Sequence, residues 1–468
     1  MKSISIPETL KKLNEIFTEN GFEAYLVGGA VRDVLLGKDA SDWDITTNAK
    51  PEDIIRIFHK VIPTGIKHGT VTIHFMGKEI EATTFRSESG YSDGRHPDSV
   101  KFDATLEDDL SRRDFTMNAI AASLTDGKLI DPFDGQKDIK SKIIRTVGKA
   151  KDRFLEDGLR PIRAIRFSSQ LNFDIDGGTY DAIKQREVQE KIKSISMERF
   201  RDELEKILRS QEPSTALRRM EETGILKAFI PELSECRGCT QSDIRSYHVF
   251  DVLDHNLYAC DGAPQDNLPV RLSALFHDIG KVKAKSIEKV EHPAGSGNFV
   301  DIIHFYRHEL FSSELARTIL TRLKFSNAMT EHVSHLVENH MFHFEENWTD
   351  AAIRRFIVKV GEEYLDDLHD LRLADMYGKY RRKPEPGSDG IRNLLRLKER
   401  VDEIRSKETA LSLKDLAVNG NDLIKAGIPA GKRLGSILSE LFQCVLDDPE
   451  MNDREKLLKV AKKLSEKK

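Results

Sequence analysis

The chain has 468 residues, with 73 Lys and Arg against 78 Asp and Glu, a net charge of -5 and 39% hydrophobic residues. That is enough chain for roughly three or four domains with real cores, and without a basic excess any nucleic-acid contact must come from local cation clusters. No stretch is apolar enough to span a membrane, the N-terminus MKSISIPETLKKL lacks the apolar core of a signal peptide, and four cysteines point to a reducing compartment, so a cytoplasmic location is expected.

Residues 24–27 (AYLV) predict a buried strand. Gly28 and Gly29 follow, and without Cβ atoms they let the backbone turn tightly and approach a phosphate. Residues 30–36 predict a helix closed by Gly37. Its N-terminus and dipole face the glycine turn, which suits an anion, and Arg32 in the first turn offers a fork for phosphate oxygens. Residues 42–45 predict the next strand. Alternation puts Asp42 and Asp44 on one face and turns Trp43 and Ile45 to the core. Two adjacent carboxylates repel unless divalent cations lie between them, and Mg²⁺ takes one or two carboxylates plus substrate phosphates. Each feature alone is an ordinary turn or strand edge. In this order they point to a site that grips a nucleoside triphosphate and holds two metal ions for in-line attack on its α-phosphate.

Residues 70–75 and 79–85 alternate apolar and polar around a turn at 76–78, a hairpin signature. Glu79, Glu81 and Thr83 share a face, which makes Glu81 a candidate third carboxylate; a solvent-facing strand glutamate is the alternative. Residues 84–106 are polar and rich in turn residues, and so long a loop in a compact domain is commonly functional. In residues 111–118 (SRRDFTMN), paired arginines beside an aspartate can bind triphosphate and sugar together; the alternative is a helix start capped by Asp114. Residues 131–135 (DPFDG) are turn chemistry.

Residues 156–160 (EDGLR) carry the base-reading chemistry. Cytosine and adenine both offer an amino donor beside a bare ring nitrogen, whereas uracil and guanine offer an N–H beside a carbonyl. Asp157 and Arg160, three apart on one face of a predicted helix, can accept the first pair and leave the second with unpaired groups. A surface salt bridge between them is the alternative. Gly158 inside a helix costs about 1 kcal/mol against Ala. Arg153, Arg160, Arg163 and Arg166 on one helix, and Arg199, Arg201 and Lys206 on the next, are candidate RNA-facing clusters; solvated helix faces are the alternative.

A second constellation begins with His248 and His255, seven apart on one predicted helix. His277 and Asp278 follow inside an apolar helix, then His308, His340 and Asp375. Histidine with carboxylate suits Mn²⁺, Fe²⁺, Co²⁺ or Ni²⁺ better than a closed structural zinc. Cys236 and Cys239 form a CxxC with no second pair nearby in sequence, and are expected to be a loop coincidence.

The segments LVGGAVRDVLLG with DWDIT, EATTFR, SRRDFTMNAIA, IDPFDGQKDI and RFLEDGLRPIRAIRF fall together in residues 20–170. In that order they resemble the class II tRNA nucleotidyltransferases, the CCA-adding family that also contains bacterial poly(A) polymerases. The resemblance implies an α+β chain: a polymerase-β-like nucleotidyltransferase head (1–147), a helical neck and body for nucleotide selection and RNA binding (148–235), a helical metal domain (240–380) and, after the linker RRKPEPGSDG, a helical RNA-binding tail (391–468). It implies catalytic Asp42, Asp44 and Glu81 with Mg²⁺. Gly28, Gly29, Arg32, Arg113, Asp114, Asn118 and Arg163 would contact the nucleotide, the SRRDFT motif its ribose. Asp157 and Arg160 would act as a protein template, with Glu156 orienting Arg160. The loop at 84–106 helps switch CTP to ATP in the family. The family pattern usually has a small residue or glycine at position 134, so Asp134 is assigned only to a hinge. Residues 419–442 resemble the family's contact for the tRNA elbow.

The H…HD…D pattern resembles the HD-type metal phosphohydrolases. Its core ligands map to His255, His277, Asp278 and Asp375, with His308 and His340 available to a second metal. Similar domains act on 2′,3′-cyclic phosphates or phosphomonoesters, and others are mainly structural. The expected activity is addition of CCA, or its terminal A, to tRNA 3′ ends from CTP and ATP. The alternatives are an A-adding or CC-adding specialist, a poly(A) polymerase, or a metal phosphohydrolase whose head only binds RNA. Oligomeric state is left open.

Overall fold

A computed structural model describes residues 2–39, 42–89, 99–245, 248–345, 347–407 and 411–466. The chain divides into two compact units, Met1–Ser234 and Glu235–Lys468.

The first unit is built on a seven-stranded mixed sheet. Its strands are β1 (Ala24–Val27), β2 (Trp43–Thr47), β3 (Val61–Gly65), β4 (Thr70–Phe75), β5 (Lys78–Thr84), β6 (Ala121–Ser123) and β7 (Leu129–Ile130). They lie in the order β3-β4-β5-β2-β1-β6-β7. Met76 and Gly77 both have positive φ (49° and 76°), the geometry that closes a two-residue hairpin between right-twisted strands. The predicted hairpin is thus present, with Lys78 in the strand rather than the turn. β2 runs parallel to β5, pairing Asp44 with Glu81 and Ile45 with Ala82. Ile45, Ile73, Ile80 and Ala82 are buried on the core side of these strands.

The predicted helix after the glycine pair is α1 (Gly29–Leu35), and Gly37 behind it has φ 73°. Residues 90–98 of the expected specificity loop lie outside the described residues; at its base Ser87–Ser89 pairs with Ser99–Lys101 as a short antiparallel ribbon, which polar composition did not suggest. After the sheet come helices, among them α2 (Ala150–Glu156), α3 (Leu159–Leu171), α4 (Arg186–Lys193) and α5 (Met197–Leu208).

The second unit contains α6 (Val252–Gly262), α7 (Leu268–Phe276), an antiparallel ribbon of β8 (Lys285–Glu291) and β9 (Phe299–Phe305), α8 (His308–Arg322), α9 (Asn327–Asn339), α10 (Asp350–Val360) and α11 (Leu365–Gly378). Helix α6 packs on α7 and α11, and α8 on α9. The tail helices Lys432–Asp447 and Arg454–Glu466 close over a core that includes Leu423, Leu441, Leu446 and Leu457. This is the α+β architecture expected from the sequence.

Candidate functional site

Strand pairing assembles three carboxylates. Asp44 on β2 lies beside Glu81 on β5 in register, and Asp42 directly precedes β2. All three side chains keep exposed surface, yet close neighbours crowd the Asp44 carboxylate. Loss of water raises its pKa, the Glu81 and Asp42 charges raise it further, and the Arg113 charge lowers it; the balance pushes it up to about 6. A carboxyl so raised is one that a cation would stabilise in its charged form.

The glycine pair sits against two arginines. A Cβ on Gly28 would lie 3.0 Å from Nη1 of Arg113, and one on Gly29 3.5 Å from Nη2 of Arg32. Gly28 also has φ 71°, so the position favours glycine on two counts. Arg113 is braced from behind by Asp109, which is 0% exposed and takes Arg112 at 2.6 Å and Arg113 at 3.3 Å. Asp109 also accepts from Thr46 Oγ1 at 3.2 Å. One buried carboxylate therefore ties both arginines to the strand that carries Asp44. Sequence reasoning passed over Asp109; the signal available was an aspartate one helical turn before the paired arginines.

Arg32, the expected phosphate fork, has protein partners on its guanidinium. Its Nε and Nη2 bind Asp33 at 2.9 and 2.8 Å, and its Nη1 donates to Asn118 Oδ1 at 2.9 Å. Asn118 in turn donates to Asp114 at 3.1 Å, and Asp114 holds Arg163 at 2.7 Å. Burial opposes the charge of Asp114, but the Arg163 charge and the Asn118 and Arg163 hydrogen bonds outweigh it and hold the pKa down to about 2. Three guanidinium groups gather on Phe167, with Arg32, Arg163 and Arg166 at 5.2, 5.5 and 4.0 Å from its centroid. Asp114 does not cap a helix; the turn behind it is a short 3₁₀ segment that starts at Thr116.

Asp157 and Arg160 do not share a helix. α2 ends at Glu156, Asp157 is extended (φ -140°, ψ 112°) and α3 begins at Leu159. Packing excludes a side chain at Gly158, whose Cβ would lie 2.5 Å from the carbonyl oxygen of Lys191 on α4. Asp157 accepts from the Leu159 amide at 2.9 Å and from Arg199 at 2.8 Å. Arg160 donates to Glu156 at 2.5 Å, to the Arg153 carbonyl at 3.1 Å and to the Arg112 carbonyl at 2.9 Å. Glu156 therefore does hold Arg160, and the surface salt bridge between Asp157 and Arg160 is replaced by two separate anchors.

The cations of the candidate RNA-facing clusters have carboxylate partners. Arg153 pairs with Glu156, Arg163 with Asp114, Arg166 with the buried Glu203, Arg199 with Asp157, Arg201 with Asp202, and Lys206 with Glu203. Arg166 and Glu203 form a buried pair, whereas Lys206 stays half-exposed.

Profiles of known families match three segments: "Poly A polymerase head domain" over residues 24–145, "Probable RNA and SrmB-binding site of polymerase A" over 172–236, and tRNA nucleotidyltransferase domain 2 over 306–461. The CCA-adding enzyme of Ligilactobacillus salivarius is 33% identical over 99% of this chain and 99% of its own. The chain belongs to the CCA-adding enzyme family. The CCA-adding enzyme of Lactobacillus johnsonii is 35% identical over 96% of each chain. A solved Bacillus stearothermophilus CCA-adding enzyme in complex with CTP is 29% identical, with a TM-score of 0.72 over 97% of this chain and 96% of that one. The Thermotoga maritima CCA-adding enzyme complexed with tRNA, 21% identical with a TM-score of 0.55 over 97% and 94%, shares the fold.

Beside the features that mark this CCA-adding family member, the second unit holds a buried histidine–aspartate cluster. His255 lies on α6, His277 and Asp278 directly follow α7, His308 opens α8, His340 directly follows α9 and Asp375 lies on α11. His277 and Asp278 thus end an apolar helix rather than sit inside it. His248 precedes α6, because Asp251 caps that helix by accepting from the Asp254 amide at 2.8 Å; its ring still lies 5.7 Å from that of His255.

Asp278 stands at the centre. Its Oδ2 is 3.3 Å from His255 Nε2 and 3.4 Å from His277 Nε2, and its Oδ1 is 3.1 Å from His308 Nε2 and 3.7 Å from His340 Nε2. Asp375 Oδ1 is 3.3 Å from His255 Nε2. The ring Nδ1 atoms of His277, His308 and His340 meet backbone carbonyls of Ala274, Phe305 and Val337 at 2.8, 2.9 and 2.6 Å. That sets the tautomer that turns each Nε2 lone pair inward. Nε2 of His308 and of His340 are buried with no hydrogen-bond partner. Buried orphan acceptors converging on one carboxylate fit a metal centre, in two groups that share Asp278.

Two cations that sequence reasoning missed brace the cluster. Lys281 Nζ lies 2.6 Å from Asp278 Oδ2, and Arg372 Nη1 lies 2.7 Å from Asp375 Oδ2. Lys281 was visible as a lysine one helical turn after Asp278; Arg372 gave no signal apart from its i,i+3 spacing. Cys236 is buried, and burial raises the pKa of its thiol; Cys239 is half-buried, and neither forms a disulfide. Among the described residues the candidate metal groups contain no cysteine. No helix among the described residues is long and apolar enough to cross a membrane.

Proposed function

We propose that the chain is a tRNA nucleotidyltransferase that builds CCA on tRNA 3′ ends from CTP and ATP. The observation that carries this reading is the in-register pairing of Asp44 with Glu81 in a chain 33% identical, end to end, to a CCA-adding enzyme.

Asp42, Asp44 and Glu81 would hold divalent cations, Mg²⁺ by the hardness of an all-carboxylate donor set. Such ions, when bound, supply charge stabilisation and an acidified 3′-hydroxyl. Gly28 and Gly29 let the triphosphate approach the backbone, and Arg113, fixed by Asp109, directs positive charge at it. Asp114 and Asn118, braced by Arg32 and Arg163, form the polar wall for the ribose. Asp157 and Arg160 present one acceptor and one donor to the pairing edge of the incoming base. Their separate anchors hold them in place before the nucleotide arrives, so a mismatched base leaves a buried group unpaired rather than prompting rearrangement. Residues 419–442 would contact the tRNA elbow.

Transcripts ending at the discriminator base, at C and at CC, each incubated with CTP, ATP or both and sequenced at their 3′ ends, test the reading. Full CCA on the shortest transcript, lost in Asp44→Ala, is the expected result. Addition of A alone to the CC end would identify an A-adding specialist, addition that stops at CC a CC-adding one, and no addition would refute the transferase.

A second activity is favoured by the buried cluster. His255, His277, Asp278 and Asp375 would hold one ion of the Mn²⁺, Fe²⁺, Co²⁺ or Ni²⁺ type, and His308, His340 and Asp278 a second. Such a centre supplies Lewis acidity for phosphomonoester or cyclic phosphate hydrolysis. Retention of phosphohydrolase activity by Asp44→Ala and its loss in His277→Ala is the expected pattern.

A further inference from the structure

Phe167 on α3 is buried. The guanidinium groups of Arg32, Arg163 and Arg166 lie over its ring, at 5.2, 5.5 and 4.0 Å from the centroid, all within reach of the ring quadrupole. Two of these arginines hold the ends of one short hydrogen-bonded chain. Arg32 Nη1 donates to Asn118 Oδ1 at 2.9 Å, Asn118 Nδ2 donates to Asp114 Oδ1 at 3.1 Å, and Arg163 Nη2 meets Asp114 Oδ2 at 2.7 Å. Phe115, next in sequence to Asp114, packs nearly perpendicular to Phe167 with centroids 5.8 Å apart, and its amide donates to Asp114 Oδ1 at 2.8 Å. Gathering guanidinium groups in a buried space costs solvation and repulsion: burial and the Arg163 charge lower the Arg166 pKa from its ordinary value, against the pull of the Glu203 carboxylate. An aromatic ring attracts the cations without taking a hydrogen bond, so their N–H donors stay available to Asn118 and Asp114.

We infer that Phe167 is a positioning residue for sugar selection: its ring seats the two arginines that hold Asp114 and Asn118, and so sets how strictly the transferase prefers a ribonucleotide to a 2′-deoxyribonucleotide. The inference rests on reading Asp114 and Asn118 as the ribose wall. Phe167 acts through that pair and not on the nucleotide itself. A carboxylate or amide recognises a 2′-hydroxyl only at hydrogen-bond distance. A small drift of either side chain therefore loses the hydroxyl contact and leaves the contacts to base and triphosphate in place, so the loss falls on CTP and spares dCTP.

The test is the ratio of kcat/KM for CTP to that for dCTP, measured with the full chain and a tRNA transcript ending at the discriminator base. Phe167→Leu and Phe167→Met remove the ring and keep most of its bulk. Each should lower the ratio about tenfold, the worth of one hydrogen bond to a charged group, with the fall in CTP and dCTP nearly unchanged. Phe167→Tyr keeps the ring and should keep the wild-type ratio. Asp114→Ala should abolish the preference. Phe200→Leu removes a buried ring of α5 that stacks on Phe229 at 4.0 Å, and should lower Tm without moving the ratio. A wild-type ratio near one, or a ratio that Asp114→Ala leaves unchanged, overturns the ribose wall and this inference with it. A preference lost in Asp114→Ala but kept in both ringless variants overturns the role of Phe167 and leaves the wall standing. An equal fall in Phe200→Leu at a matched loss of Tm, or in Phe167→Tyr, makes Phe167 a packing residue and also overturns it.

Discussion

Gly158→Ala separates what the local sequence implies from what packing enforces. Gly158 has φ -62° and ψ -11°, a conformation open to any residue, and inside the helix that the sequence predicts alanine would stabilise by about 1 kcal/mol. The surroundings say the reverse. The new Cβ would lie 2.5 Å from the Lys191 oxygen, 2.9 Å from its carbonyl carbon and 3.2 Å from the Ile192 nitrogen. All three are backbone atoms and cannot swing aside as a side chain would. Forcing such an overlap costs about 1–3 kcal/mol, and at a helix-capping position no propensity gain offsets it. For a unit of this size each kcal/mol is worth about 2–4 °C in Tm, and calorimetry resolves that shift. The displaced turn carries Asp157 and Arg160, so kcat/KM for CTP and ATP should fall while misincorporation of UTP or GTP rises. A Tm that is unchanged or higher would refute the packing argument. A lower Tm with selectivity intact would refute the link between this turn and base choice.

Other outcomes follow from the same geometry. Asp109→Asn should cost about 3 kcal/mol or more, because it leaves Arg112 and Arg113 against a neutral partner; chemical denaturation measures the loss, and the KM for CTP should rise as Arg113 loosens. Asp114, held at about 2 in the fold against about 3.9 unfolded, contributes stability on the order of 2 kcal/mol that is fully present above pH 4 and lost as pH falls toward 2. Asp114→Asn should therefore flatten the acid limb of the stability–pH curve in that window, and an unchanged limb would count against the Arg163 pairing. Equilibrium dialysis with Mn²⁺ should show His308→Ala and His340→Ala losing the same class of site while His277→Ala loses another, with CCA addition unaffected by all three.

The head could be read from the sequence because its determinants are local. Gly28 and Gly29, the alternation at Asp42–Asp44 and the hairpin around Met76–Gly77 each rest on neighbouring residues, and backbone periodicity carried them into place. Glu81 was expected on the correct face because a strand has period two; its position opposite Asp44 follows from the parallel pairing of β2 with β5. The histidines and aspartates of the cluster were recognisable as a pattern of residue types, but Asp278 as the carboxylate they share emerged only when α6, α8, α9 and α11 converged on the end of α7.

Tertiary structure decided what each charge meets. Spacing offered Arg153, Arg163, Arg166 and Arg199 to RNA, yet partners distant in sequence, such as Asp114, Asp157 and Glu203, claim three of them. Spacing likewise offered Arg32 to a phosphate and Asp157 to a helix shared with Arg160; in the fold Arg32 meets Asn118, and an extended Asp157 separates two helices. Propensity and periodicity act over a few residues, so the sequence by itself determined the elements and the chemistry available. Charge pairing and close packing act across the folded chain, and they determined which of those groups remain free to act.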